Sequence, residues 1–133
     1  MTFKLSTDNY YELLALHKAL LESKFNNAPN DFDVSKSPIV NKLYAEVLET
    51  LLQAELEKNG EAGKNRWISW FQMDKAKREW SVALNTVKRE RLWSDWDNQK
   101  KKDFAKAVVY PFQLNEENLQ MFITEADNLT CSQ

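Results

Sequence analysis

Chain breakers are scarce in this sequence. There are two glycines, Gly60 and Gly63, and three prolines, Pro29, Pro38 and Pro111, and residues 64–110 contain neither type. Sheet proteins need turn residues at short intervals, so this scarcity argues against an all-β fold and favours helices. Cysteine occurs once, as Cys131. A lone thiol makes no internal disulfide, which points to a reducing compartment and predicts a cytoplasmic protein. No run of about 18 uncharged apolar residues exists, so no membrane span is expected. The opening MTFKLSTDNYYELL has no basic region followed by an apolar run and does not read as a secretory leader. Asn128-Leu129-Thr130 matches a glycosylation sequon, which without an export signal is read as chance.

The missing residues also exclude chemistries. His17 is the only histidine. Carboxylate-bridged metal centres in helical bundles need a glutamate three positions before a histidine, twice over, and position 14 is Leu14. Glu46 and Glu49 are neighbours on a helix face but belong to a polar strip, where solvation explains them. No metal site and no cofactor are expected. His17 falls on an apolar stripe, where a partly buried imidazole bonded to a carbonyl or tyrosine hydroxyl is favoured over a general base, because no second catalytic group pairs with it. Cys131 has no helix start or cation nearby to lower its pKa and is not read as a nucleophile. The loop GEAGKN resembles a phosphate loop only superficially. Its first glycine is misplaced, Asn65 stands where a hydroxyl residue belongs, and a helix precedes it. No catalytic residue is nominated, and enzymatic function is weakly supported.

What is present is a balanced globular composition, 43% hydrophobic and 29% charged, which argues against global disorder. The length suits one domain spanning residues 1–133, with residues 129–133 frayed. The formal net charge of −2 hides a segregation. Residues 1–59 carry six basic and nine acidic groups, residues 60–110 twelve basic and seven acidic, and residues 111–133 four acidic and none basic. Such asymmetry marks either an interaction surface or an acidic tail lying on the basic centre. The second reading is preferred, since the charges nearly cancel and steering needs an unbalanced field.

Periodicity predicts an all-α bundle of five helices, or six, with a small two-stranded piece pairing residues 2–5 with 108–114 as a minor option. A first helix is expected over residues 9–24, capped by Asn9 with Glu12 at capping-box spacing, its stripe running Tyr10, Leu13, Leu14, His17, Leu20, Leu21, Phe25. A second starts at Ser37-Pro38 and runs to about Lys58, ending at Asn59-Gly60. Its apolar arc covers more than half the circumference, which places it at the centre and makes part of the arc a candidate homodimer surface. A third helical region covers residues 65–92, with Trp70, Met73, Trp80, Leu84 and Val87 in step. As an alternative, Asp74 caps a new helix and leaves residues 67–73 as a turn or short strand. A fourth begins near Ser94 or Asp95 and stops before Pro111. A fifth starts at Asn115, with Glu116 and Glu117 at the positive end of its dipole.

Five tryptophans in 133 residues is a high content. Each ring buries about 150–250 Å² when packed. Trp70 and Trp80 lie on the helical stripe and are assigned to the core. Trp67, Trp93 and Trp96 sit nearer element ends, beside charges. The segment RERLWSDW, residues 89–96, mixes the residue types that dominate protein interfaces. The expected function is therefore protein binding, in the manner of an inhibitor, immunity protein or antagonist, through Trp67, Arg89, Arg91, Trp93 and Trp96. The alternative is nucleic-acid binding by the basic, tryptophan-rich residues 64–106, using rings for bases and Lys75, Lys77, Arg78, Lys88, Arg89, Arg91 and Lys100 to Lys102 for phosphates. Against it stand the seven acids interspersed through residues 60–110 and a pI near 5.5.

Overall fold

The computed structural model describes Thr2 and residues 4–131, apart from the side chain of Cys131, so the reading of that thiol lies outside the described residues. Five α-helices follow one another: α1 (Tyr10–Lys24), α2 (Pro38–Trp70), α3 (Arg78–Lys88), α4 (Asn98–Val109) and α5 (Glu116–Cys131). Short 3-10 turns at Val34–Lys36 and Trp93–Asp95 precede α2 and α4. The structure is all-α, as the breaker count and periodicity predict. No helix among the described residues is long and apolar enough to cross a membrane.

Caps set the starts. The Asn9 side chain accepts from Tyr11 N, Ser37 from Val40 N, and Asp97 from Lys100 N. Ser37 with Pro38 in the first turn is the expected combination of acceptor and missing donor. For α4 the cap falls at Asp97 instead of Ser94 or Asp95, because residues 93–95 are taken up in a 3-10 turn that buries Trp93. α5 continues to Cys131, and the Thr130 hydroxyl bonds back to the Ala126 and Asp127 carbonyls; the rest of the segment expected to fray, residues 132–133, lies outside the described residues.

The sequence predicts a loop at residues 60–65, and the structure has none. α2 breaks at Gly60 alone, with φ 71° and ψ −170°, and resumes immediately. This backbone region is essentially restricted to glycine. After the break Gly63 lies against the preceding segment so closely that a Cβ there would stand 2.5 Å from Asn59 Cβ and 2.9 Å from Glu55 Oε1. Glu55 in turn accepts from Tyr10 Oη on α1 and from Asn59 Nδ2. Replacing Gly60 with alanine is expected to cost about 1–3 kcal/mol through strain at that position. Chemical denaturation checks it: an unchanged midpoint would show that the break is not fixed by this residue.

The predicted long third region is also divided. The helix ends at Trp70, and residues 71–77 turn. Met73 N donates to Gln113 O at 2.8 Å and Gln113 N to Phe71 O at 2.7 Å, making one parallel bridge between residues 72 and 113. This is the β-like pairing of the described residues; residues 2–5 have no part in it, and Phe3 lies outside what is described. Asp74 caps the turn by accepting from Ala76 N, and the new helix begins four residues later.

Packing places α3, α4 and α5 against one another, while α2 packs chiefly on α1. The most buried helix is therefore α3, with Trp80, Val82, Ala83, Leu84, Thr86 and Val87 inside, rather than the second helix. On α2 the buried residues are Tyr44, Leu48, Leu51, Glu55 and Gly63, while Ile39 and Leu43 face solvent. The acidic last helix does lie on the basic centre. Lys101 Nζ pairs with Asp127 at 2.9 Å, and Lys75 lies 4.0 Å from Glu125. The same two carboxylates accept the indole N–H groups of Trp93, at 2.8 Å, and Trp80, at 3.0 Å. Ala126 between them is buried, so α5 is seated with an indole bonded on either side of it.

Candidate functional site

The five residues expected to form an interaction surface are not brought together. Trp93 is wholly inside, at 0% exposure, and cannot serve as an exposed anchor. Trp96 is half-buried, with its ring 6.1 Å from that of Trp93 and 5.2 Å from that of Phe104, and Lys100 Nζ covers it at 4.6 Å. Arg89 is exposed and stacks its guanidinium on Phe32 at 5.0 Å, beside a small cleft with Lys36, Thr86 and Glu90. Arg91 is exposed. Trp67 lies elsewhere, on the α1–α2 side. The assignment of Trp80 to the core holds, at 1% exposure, but Trp70 is 42% exposed and does not belong to it. The roles of Trp70 and Trp93 are exchanged, Trp93 because the 3-10 turn at Trp93–Asp95 draws it in to Asp127 and Trp70 for a separate reason. The stripe linking Trp70 to Trp80 presumes an unbroken helix, and the turn at residues 71–77 resets the phase.

A different surface emerges around Trp67 and Trp70. Because α2 resumes after Gly60, its last two turns lie beside α1. His17, Lys18 and Leu21 from α1 face Arg66, Trp67 and Trp70 across a groove of about 400 Å³. Ligand pockets commonly run from roughly 300 to 1,000 Å³ and are mostly apolar with a few polar groups, which describes this one at the small end. Its floor is a ring network. His17 lies 5.3 Å from Trp67 and 6.3 Å from Trp70, and Trp70 lies 5.1 Å from Phe71 and 5.2 Å from Phe112, mostly edge to face. Such contacts add about 0.5–1.5 kcal/mol per pair beyond area burial, which holds the floor rigid.

His17 is bonded as the sequence suggests. Its Nδ1 lies 2.7 Å from Tyr44 Oη. Burial pushes the imidazole pKa down from 6.5 to about 4, and the charge of Lys18 adds to the shift, so the ring is neutral at pH 7. Burial also raises the Tyr44 hydroxyl above its ordinary value. Glu55 is held below the usual carboxylate range, first by the hydrogen bond from Tyr10, with Asn59, Arg66 and Trp67 contributing.

Sequence reasoning missed Lys18, Leu21 and Arg66 as groove residues. Lys18 and Arg66 are ordinary exposed charges on their helices, and only the break at Gly60 brings the two helices' walls together. It also missed Lys24, which is buried at 1% exposure. Its Nζ donates to Asn41 Oδ1 and Ala107 O and lies 5.3 Å from the Tyr110 ring. A signal existed: Lys24 is three after Leu21 and four after Leu20, on the inner stripe, where its charge alone argued against burial.

Compared with known proteins, the chain matches no family model, no curated protein and no solved structure.

Proposed function

We propose that the protein acts in the cytoplasm by binding a partner protein, and that the groove between α1 and the last turns of α2 is where it does so. The observation that carries this reading is Trp70: a large indole, nearly half exposed, anchored on a rigid aromatic floor. Tryptophan dominates interface hot spots because it offers much apolar area at small entropic cost. Association of the inhibitor or antagonist kind fits this arrangement. Self-association would use another surface, the exposed Ile39 and Leu43, one turn apart on α2.

Nucleic-acid binding by residues 64–106 has less support. Trp80 and Trp93 are buried, Lys100 lies over Trp96, and Lys101 is engaged by Asp127 and the Trp93 ring. Stacking of successive bases needs a row of open rings, and of the five indoles Trp70 alone is markedly exposed, with Trp67 and Trp96 partly covered and Trp80 and Trp93 buried.

Affinity capture from lysate of the source cells, with mass spectrometry, tests the reading. Proteins held by the wild type are expected to be lost with Trp70→Ala; the variant also gives up ring contacts to His17, Trp67, Phe71 and Phe112, so its unfolding midpoint is expected to fall, and capture is compared where far-UV circular dichroism shows both baits folded. Capture of the same proteins by both baits would remove the groove from consideration.

A further inference from the structure

The groove carries charge of one sign. Lys18 and Arg66 line it, and Lys77 Nζ lies 5.4 Å above the Trp70 ring and 5.6 Å from that of Phe112. No carboxylate lines the groove. Among the described residues none of these three cations forms an ion pair with a carboxylate within 4.0 Å. Arg66 is near enough to Glu55 to lower its pKa, and Glu55 is already bonded to Tyr10 and Asn59. Three basic residues elsewhere are paired with carboxylates: Lys101 with Asp127, Lys75 with Glu125 and Lys36 with Glu90. Lys77 is engaged by the rings beneath it and Arg66 acts on Glu55, but neither Lys18 nor Arg66 has a carboxylate within 4.0 Å among the described residues, so the two walls present positive charge beside apolar rings.

Resting on the protein-binding reading above, we propose that the groove takes an acidic segment of the partner with one aromatic side chain as its anchor. The anchor ring enters between Leu21, Trp67 and Trp70, where edge and face contacts to indoles are available. A volume of about 400 Å³ holds one or two side chains rather than a flat protein face. Glutamates or aspartates on either side of the anchor then meet Lys18 and Arg66, one on each wall. Charge complementarity of this kind raises the association rate and sets the register, while the buried ring supplies most of the affinity. A basic or neutral segment would leave the two walls repelling or unpaired.

Fluorescence polarisation with a labelled synthetic peptide tests this, using one phenylalanine flanked on each side by glutamates. Saturable binding is expected, weakening as salt screens the exposed pairs. Replacing the phenylalanine with alanine in the peptide, or Trp70→Ala in the protein, is expected to lower affinity about tenfold or more, equivalent to about 1.4 kcal/mol. The double reversal Lys18→Glu with Arg66→Glu is expected to lose the glutamate peptide and to bind a lysine-flanked version instead. Both positions are exposed, so the fold should survive, and far-UV circular dichroism confirms it. No binding by the wild type, equal binding of the alanine peptide, or indifference to the charge reversal each overturns the proposal. If the partner is still captured in a Trp70-dependent way, protein binding stands and only the acidic, aromatic chemistry falls. If capture and peptide binding both fail, the reading beneath it falls as well.

Discussion

Replacing Trp93 with alanine is expected to lower the unfolding free energy by about 3–5 kcal/mol, the usual cost of truncating a buried aromatic. Domains of this kind have roughly 5–15 kcal/mol in total, so the loss is a large share of the whole and leaves the variant partly unfolded at the low end of that range. Two losses combine. The ring is fully buried, with Trp96 and Phe104 packed on it, so its removal leaves a cavity that neighbours fill only in part. The indole N–H also donates to Asp127 at 2.8 Å. Asp127 keeps Lys101 as a partner at 2.9 Å, so the carboxylate is not abandoned. Trp93→Phe separates the two effects: it fills most of the space and loses only the hydrogen bond, so it should cost less than the alanine variant. Urea denaturation of both variants measures this. A Trp93→Ala protein with a wild-type midpoint would mean that the ring lies at the surface, as the sequence had suggested.

Stability is expected to depend on pH through two buried bases. Lys24 has its pKa pushed down by burial from 10.5 to about 7. Between those values the unfolded chain holds a proton that the folded chain has lost, so stability rises with pH across the window. Below about pH 7 both forms are protonated and the gain is absent. The full effect is on the order of a few kcal/mol. The tyrosine shifts, at Tyr10, Tyr44 and Tyr110, raise values from 10.0 and act above this window. Lys24→Met is expected to flatten the rise between pH 7 and about 9.5. Asn41 Nδ2 still donates to Ala107 O at 3.0 Å, so the cage is not left wholly unbonded.

His17 acts the same way at lower pH. Its folded pKa of about 4 lies below the ordinary 6.5, so its contribution is complete above 6.5 and is lost as pH falls towards 4. Glu55, held below 4.5 mainly by Tyr10, adds a loss below that value. His17→Gln removes the slope between 6.5 and 4.5 while offering Tyr44 an acceptor. Unfolding curves at a series of pH values decide the matter. A wild type whose stability is flat or falling from pH 7 to 9.5, or a Lys24→Met variant with the same slope, would contradict the assignment.

Much of the fold was legible. Ser37-Pro38 and Asn9 mark helix starts because a side-chain acceptor or a missing donor has its effect within one turn, independent of the rest of the chain. Gly60 was recognised as a terminator for the same local reason. That the helix would resume at the next residue was not legible, because it depends on Gly63 fitting against Asn59 and Glu55. The candidate site was largely hidden. Lys18 and Arg66 stand 48 positions apart on different helices, and nothing local in either distinguishes it from any solvated charge. Of the site residues proposed from sequence, Trp67 lines the groove, while Trp93 is buried and bonded to Asp127 on α5.

By itself the sequence determined that the chain is helical, where most helices start, that it forms no internal disulfide, and that its acidic end would meet its basic centre. Those properties follow from backbone sterics, from hydrogen bonds spanning a few residues, and from net charges that must find opposites. The tertiary structure alone decided which indoles are buried. One turn at residues 71–77 resets helical phase, turning Trp70 outward, and a 3-10 turn draws Trp93 in to reach Asp127. Which face of a helix is inner is a property of its neighbours, and neighbours distant in sequence are chosen only when the whole chain packs.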